Sequence, residues 1–206
     1  KNDFFNCNNS ENAKHYLELG FPQKKITRIY NGVDTRGYSS CQYPEKITTF
    51  SFLAELNREK GVRELLDAFV LVRCHYPEVK LIIGGYGDEE KYIKHFIKNN
   101  NLKGAVQFVG YITSEQKREF YEKGDCFVFP SYSEGFGLVV AEAVTHKRVV
   151  ITTKVADLPA IFGTKVFYCR EKDCVDLAEK MKNAIDCYMP NAMNYDSLVS
   201  FLSINR

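Results

Sequence analysis

The chain has 206 residues, of which 45% are hydrophobic and 26% charged, enough apolar surface for one good core in a globular protein. The formal net charge is only +2 and acidic and basic residues are interspersed, which argues against a basic groove for nucleic acid. No apolar run approaches the roughly 20 residues needed to span a bilayer, and no signal peptide is evident. The first forty or so residues are the more polar ones, with a short strand predicted at Ile26–Tyr30, ending in the Asn31-Gly32 turn signal. Ile47–Ala54 is β-branched and aromatic and reads as a buried strand. Val62–Cys74 carries apolar residues at Val62, Leu65, Leu66, Phe69 and Val70, the spacing of an amphipathic helix, which Pro77 closes.

The alternation then repeats. Val79–Ile83 is a strand cut by Gly84-Gly85, Asp88–Lys98 a helix with Ile93, Phe96 and Ile97 on one face, and Val106–Val109 a strand. Thr113 and Gln116 stand at capping-box spacing before a helix that runs to Lys123 and stops at Gly124. A strand at Cys126–Phe129, a helix at Gly137–His146, strands at Val149–Thr152 and Val166–Tyr168, a helix at Asp173–Cys187 and a terminal helix after Asn194 complete the chain. Strands separated by helices imply parallel pairing through right-handed crossovers. The expected fold is a doubly wound α/β, Rossmann-like sheet that binds ligands at the carboxyl ends of its strands.

Cysteine usage is consistent with reduced thiols. The chain has seven cysteines, an odd number, and no C-x-x-C pair, so a cytoplasmic protein is expected. Cys126, inside an apolar strand, reads as a small packed hydrophobe. The histidines lie far from any close ligand pair, and no metal site is expected.

The segment Ser133-Glu134-Gly135-Phe136-Gly137-Leu138-Val139-Val140-Ala141-Glu142 carries the chemistry. It follows a strand and opens a helix. Gly135 and Gly137 permit close backbone approach, and the helix start offers N–H groups to an anion. Glu134 and Glu142 bracket it as hydroxyl acceptors, Glu142 standing roughly 7 Å along the helix at 1.5 Å per residue. A ligand that satisfies both features carries phosphate and vicinal hydroxyls together, as a nucleotide-sugar does, and both carboxylates are then expected to face one crevice. Spacing alone leaves open a plain tight turn with Glu142 on the surface. His146, at the end of that helix, reads as a cap on its carbonyls, and Tyr132 is a candidate to stack on a base.

This segment resembles the E-x7-E motif of retaining glycosyltransferases with the GT-B fold, the glycogen-synthase-like group. Further segments resemble the same family in the same order. Ile29-Tyr30-Asn31-Gly32-Val33-Asp34 is similar to its inter-domain connector, and Asn57-Arg58-Glu59-Lys60-Gly61 with Leu65–Phe69 to its "E-K-G" turn and helix. Leu81–Gly87, which includes Gly85, resembles its "I-x-G-x-G" strand end, and Gly110-Tyr111 its "F-x-G". The resemblance implies one half of a GT-B fold. Residues 1–35 would be the tail of an acceptor-binding domain and a connector, 36–190 the donor-binding domain and 191–206 a C-terminal helix. The chain begins with Lys1, so a longer protein is expected.

The resemblance also implies roles. Glu134 would hold hydroxyls of the donor sugar, and Phe136, Gly137 and Leu138 would present backbone to the diphosphate. Glu142 would take the ribose diol, and Lys60 would neutralise the leaving diphosphate. No resident cofactor or metal is implied. The partners would be a nucleotide-sugar and, through the other domain, a glycan or lipid-linked acceptor, with peripheral membrane association possible through that domain. Departures are concentrated at one place. Ala54-Glu55-Leu56 stands where relatives carry "G-R-L", and Glu55 would repel the diphosphate that their arginine binds. Arg58 is the candidate replacement, and pairing of Glu55 with a lysine is the alternative. Lys147, Val149, Asp157 and Ala160 are further departures. Two rival readings remain: a catalytically silent nucleotide- or glycan-binding module of the same fold, and a plain α/β scaffold.

Overall fold

The computed structural model describes residues 4–36, 38–190 and 193–203. The polar N-terminal stretch folds into a small unit that sequence patterning does not announce. Strand β1 (Phe5–Cys7) and strand β2 (Ile26–Arg28) pair in parallel across helix α1 (Ser10–Glu18). Asn9 caps α1, its side-chain oxygen accepting from Asn12 N–H at 2.7 Å. No residue of α1 is buried, and its apolar residues are only Ala13, Tyr16 and Leu17, too few to mark it within a polar stretch. The strand expected over Ile26–Tyr30 ends at Arg28.

The main sheet has six strands: β3 (Thr49–Glu55), β4 (Lys80–Tyr86), β5 (Val106–Gly110), β6 (Cys126–Phe129), β7 (Val149–Thr153) and β8 (Phe167–Cys169). Their order is β5-β4-β3-β6-β7-β8, and every pairing is parallel. The connecting helices are α2 (Val62–Arg73), α3 (Glu90–Asn99), α4 (Lys117–Lys123), α5 (Leu138–Thr145), the five-residue α6 (Leu158–Phe162), missing from the sequence reading, and α7 (Cys174–Cys187). A sheet covered by helices on both faces needs strands that are apolar on both faces. Accordingly all four residues of β6 and all five of β7 are buried. Phe50, Phe52, Phe127 and Phe129 fill the centre, each at most 2% exposed. The expected doubly wound, Rossmann-like fold is observed.

The chain leaves β3 towards β4 and β5, then returns to place β6 on the other side of β3. The crossover direction therefore reverses between β3 and β6, and a crevice opens at their carboxyl ends. Helix α8 (Asp196–Leu202) closes the chain, and Val33 N–H donates to the Leu202 carbonyl at 2.9 Å. Of the span 191–206 expected as a C-terminal helix, residues 196–202 are helical, and residues 191, 192 and 204–206 lie outside the described set. Among the described residues there is no disulfide, and no helix is long and apolar enough to cross a membrane. Burial pushes the Cys126 thiol well above its ordinary pKa, as expected of a cysteine that packs as a hydrophobe.

Candidate functional site

A cavity of about 310 Å³ occupies the crevice between the ends of β3 and β6. Ala54 and Glu55 line it from β3, Phe129 from β6, and Phe136, Gly137, Leu138 and Val139 from the start of α5. Lys60 and Glu134 stand side by side in its wall. The Lys60 ammonium lies 2.6 Å from a Glu134 carboxylate oxygen and also donates to the Ser133 carbonyl at 3.1 Å. Both side chains are largely covered, 19% and 12% exposed.

Local hydrogen bonds fix this arrangement. Arg58–Lys60 forms a short 3-10 turn, capped by the Asn57 side chain, which accepts from Glu59 N–H at 3.1 Å. The Glu59 carbonyl accepts from Tyr132 N–H at 2.9 Å and from the Ser131 hydroxyl at 3.2 Å, which ties the loop after β3 to the loop after β6. Gly137 precedes α5 at φ 79, in the left-handed region. The first turn of a helix has no intrahelical acceptors for its N–H groups, so the start of α5 presents them, with the positive end of the helix dipole, to the cavity.

Five of the eight sequence-predicted site residues meet here: Lys60, Glu134, Phe136, Gly137 and Leu138. The other three do not line the cavity. Arg58 is engaged elsewhere, its guanidinium forming a two-pronged pair with Glu64 at 2.7 and 2.8 Å. Burial is the largest single influence and would raise the Glu64 pKa, but the Arg58 hydrogen bonds, a backbone hydrogen bond and the charges of Arg58 and Arg63 together outweigh it and hold the carboxyl below its ordinary value. Gly85 is a packing residue: at φ +126, a Cβ there would stand 1.9 Å from the Ala54 carbonyl oxygen. Only glycine lets β3 and β4 approach so closely.

Glu142 corrects the expectation of a crevice shared by both glutamates. Its carboxylate is taken by Lys117 at 2.6 Å and by the Tyr121 hydroxyl at 2.8 Å. It sits beside the crevice on α5, 21% exposed, rather than in the cavity wall. The pair joins residues 25 positions apart through α4, a relationship with no local sequence signal. His146 caps as expected. Its Nδ1 lies 2.8 Å from the Glu142 carbonyl and must carry the proton there, while its ring stacks on Tyr121 at 5.0 Å. Tyr132 is held by its hydroxyl on the Arg58 carbonyl, with Lys172 4.8 Å above the ring.

Glu55 stays in the site. It lines the cavity from the end of β3, and none of the ion pairs among the described residues involves it, so the reading in which a lysine draws it away does not hold. Among the described residues Lys60 is the only cationic side chain in the lining, against two carboxylates. The sequence reading gave no role to two asparagines of the wall. Asn31 comes from the connector turn and Asn8 from the loop between β1 and α1. The Asn-Asn-Ser run at residues 8–10 is a helix-start signal that would have marked α1, though nothing in it points to a cavity. Among the described residues no three His, Cys, Asp or Glu side chains gather into a metal-ligating group.

Two of the other departures also have partners. Lys147 adopts φ 58, and its ammonium sits over the rings of Tyr38 and Tyr43 at 4.7 and 5.5 Å. Asp157 is buried beneath the N-terminal unit, 6% exposed.

Known proteins share this frame. The glycogen synthase of Mycobacterium tuberculosis is 25% identical over 184 residues, which cover 87% of this chain and 44% of that protein. Anabaena Alr3699/HepE, solved with UDP and glucose, superposes with a TM-score of 0.80 at 20% identity, covering 98% of this chain and 59% of that one. The C-terminal domain of the group 1 glycosyl transferase LpcC from Francisella tularensis superposes at 0.69 with 23% identity, over 82% of this chain and 97% of that domain. The chain thus spans less than half of the glycogen synthase but nearly the whole of an isolated C-terminal domain. Residues 41–197, which hold the whole main sheet and every lining residue of the cavity except Asn8 and Asn31, match the family Glycosyl transferases group 1, and on that match the chain belongs to the group 1 glycosyl transferases.

Proposed function

We propose that this chain is the donor-binding half of a retaining, metal-independent hexosyltransferase, which moves a hexose from a nucleoside diphosphate to a glycan or lipid-linked acceptor. The observation that carries the reading is the Lys60–Glu134 pair at the start of α5, inside the cavity at the switch point of the sheet. The ligand crystallised with Alr3699/HepE, UDP with glucose, is of the chemical class that such a site suits.

In this reading the diphosphate takes the N–H groups at the start of α5 and the Lys60 ammonium. Lys60 then exchanges part of its contact with Glu134 for the phosphates, and the freed Glu134 oxygen accepts from hydroxyls of the sugar. As the glycosidic bond breaks, negative charge grows on the leaving diphosphate, and the preorganised cation and helix start stabilise it; one such donor is worth about 2.7–4 kcal/mol. Glu142 takes the ribose diol once Lys117 shares or releases its carboxylate. Leu138 and Phe136 wall the sugar and phosphate, while Gly85 contributes by bringing the ends of β3 and β4 together. The acceptor enters from a part of the protein outside this chain.

The presence of Glu55 in the cavity wall favours a second reading, a module that binds a nucleotide or glycan without turnover. A screen of the full-length protein against UDP-, GDP- and ADP-sugars, scored by thermal shift and by sugar release, separates the two. Binding with release supports the transferase, binding without release the silent module, and no binding neither.

A further inference from the structure

Asp157 is a buried carboxylate whose partners all come from one short stretch of chain. Its side chain is 7% exposed. Ser10 donates to it twice, from its backbone N–H at 3.0 Å and from its hydroxyl at 3.1 Å. The Tyr30 hydroxyl donates at 2.9 Å, and Arg28 lies 3.5 Å away. Arg28 also donates to the Ser10 hydroxyl. The N-terminal unit and the turn before α6, 127 to 147 residues apart in sequence, are thus joined through one side chain.

A second tether lies next to the first. The Asn9 amide, 3% exposed, donates to the Gly135 carbonyl at 2.7 Å, in the loop that carries Glu134. The turn Asn8–Ser10 is therefore fastened at two points, and its first residue, Asn8, lines the cavity with Lys60 and Glu134. The backbone around Asp157 is consistent with a demanding fit, because Ala156 before it adopts φ 48, a left-handed conformation unfavourable for a residue with a Cβ unless its surroundings hold it. A buried carboxylate stripped of its donors is strongly disfavoured, so Asp157 is satisfied only while the N-terminal unit is docked.

We propose that Asp157 is a positioning residue for the donor cavity: by holding the Asn8–Ser10 turn it places Asn8 in the wall and, through Asn9, steadies the Gly135 loop. The inference rests on the donor reading for what fills the cavity, but not for the coupling itself. The ligand contact it adds is Asn8, an uncharged amide able to donate to and accept from sugar hydroxyls.

The test uses the full-length protein with three substitutions. Asp157→Ala removes the anchor. Asp157→Asn keeps an acceptor for Ser10. Tyr30→Phe deletes one donor and preserves the ring, which packs 5.9 Å from Phe136. Hydrogen–deuterium exchange is followed at residues 8–14 and 134–138, with α2 and α7 as internal references, and donor KM and kcat are measured alongside. Asp157→Ala is expected to raise exchange in both segments but not in the references, and to raise KM about fivefold, the scale of one lost hydrogen bond to an uncharged group, with kcat within about twofold. Tyr30→Phe should show the same pattern more weakly, and Asp157→Asn should recover part of it. Unchanged exchange at 134–138 in both Asp157→Ala and Tyr30→Phe overturns the proposal, as does raised exchange with unchanged KM. If the parent protein binds no nucleotide-sugar while the exchange coupling holds, the donor reading falls and the steadying of the Gly135 loop stands.

Discussion

Lys60 and Glu134 hold each other at 2.6 Å in the cavity wall, so in the proposed reading the cation that would meet a diphosphate is already paired with the carboxylate that would meet a sugar. In that reading a nucleotide-sugar engages both groups at once, whereas a bare nucleotide meets only the cation. Replacing Glu134 by Gln removes the competitor without removing the cation. We expect Glu134→Gln to bind a nucleoside diphosphate roughly tenfold more tightly, because one repulsive charge near the phosphates is lost, while sugar transfer falls. Lys60→Ala should lose both, with kcat down about 10²–10³-fold. Calorimetry paired with a transfer assay reads both outcomes.

Glu55 adds a second carboxylate to the cavity wall, which in the proposed reading stands against the phosphates. In the transferase reading Glu55→Arg strengthens nucleotide binding by tenfold or more, on the order of one charge-assisted bond to phosphate, and makes it more salt-dependent. Titration at low and high salt checks this. Rising transfer in the same variant would mark Glu55 as the brake on the native site, and unaffected transfer would mean that the carboxylate is tolerated there.

Gly85 separates a packing role from a binding role. A methyl group at this position meets the Ala54 carbonyl oxygen at 1.9 Å in a backbone conformation that L residues avoid. Gly85→Ala is expected to lower stability by about 1–3 kcal/mol, the range for overpacked sites, read as a fall in melting temperature. Saturating nucleotide should raise the melting temperature of variant and parent by similar amounts, since Gly85 is absent from the cavity lining.

His146 gives the fold a pH dependence of known sign. Burial holds its imidazole below the ordinary value of 6.5, against the hydrogen bond to the Glu142 carbonyl. As pH falls through that ordinary value the unfolded chain takes up the proton before the folded one does, so stability is complete above it and declines below it. Urea unfolding at about pH 7.5 and about pH 5.5, where most carboxylates remain ionised, should show a drop for the parent protein that His146→Gln largely removes. An equal drop in both would place the titration elsewhere.

The main sheet was legible because each strand carries its own signal. Runs such as Cys126–Phe129 are apolar on both faces, and the helices between them, α2 above all, repeat at helical spacing. The Glu134 loop was legible for a related reason, as glycines and acidic residues stand at fixed places around a helix start. What sequence reading missed are relationships between distant parts. The bonds of Lys117 to Glu142 and of Asp157 to Ser10 and Tyr30 join segments with no shared local pattern, and α1 is a mostly polar helix that buries none of its residues, so it does not stand out from the polar stretch around it. Arg58 illustrates the limit from the other side. Chemistry made it a candidate for phosphate, but Glu64 in the first turn of α2 lies within reach and claims it.

The central claim is that the start of α5 and Lys60 together hold a diphosphate. A crystal structure of the full-length protein soaked with the nucleoside diphosphate that binds it best tests this directly. The account predicts both phosphates within hydrogen-bonding distance of the backbone N–H groups of Gly137–Val139 and of the Lys60 ammonium, with Glu134 free to meet a sugar. A diphosphate seated anywhere else, or an empty cavity at saturating nucleotide with the Lys60–Glu134 pair intact, would contradict it.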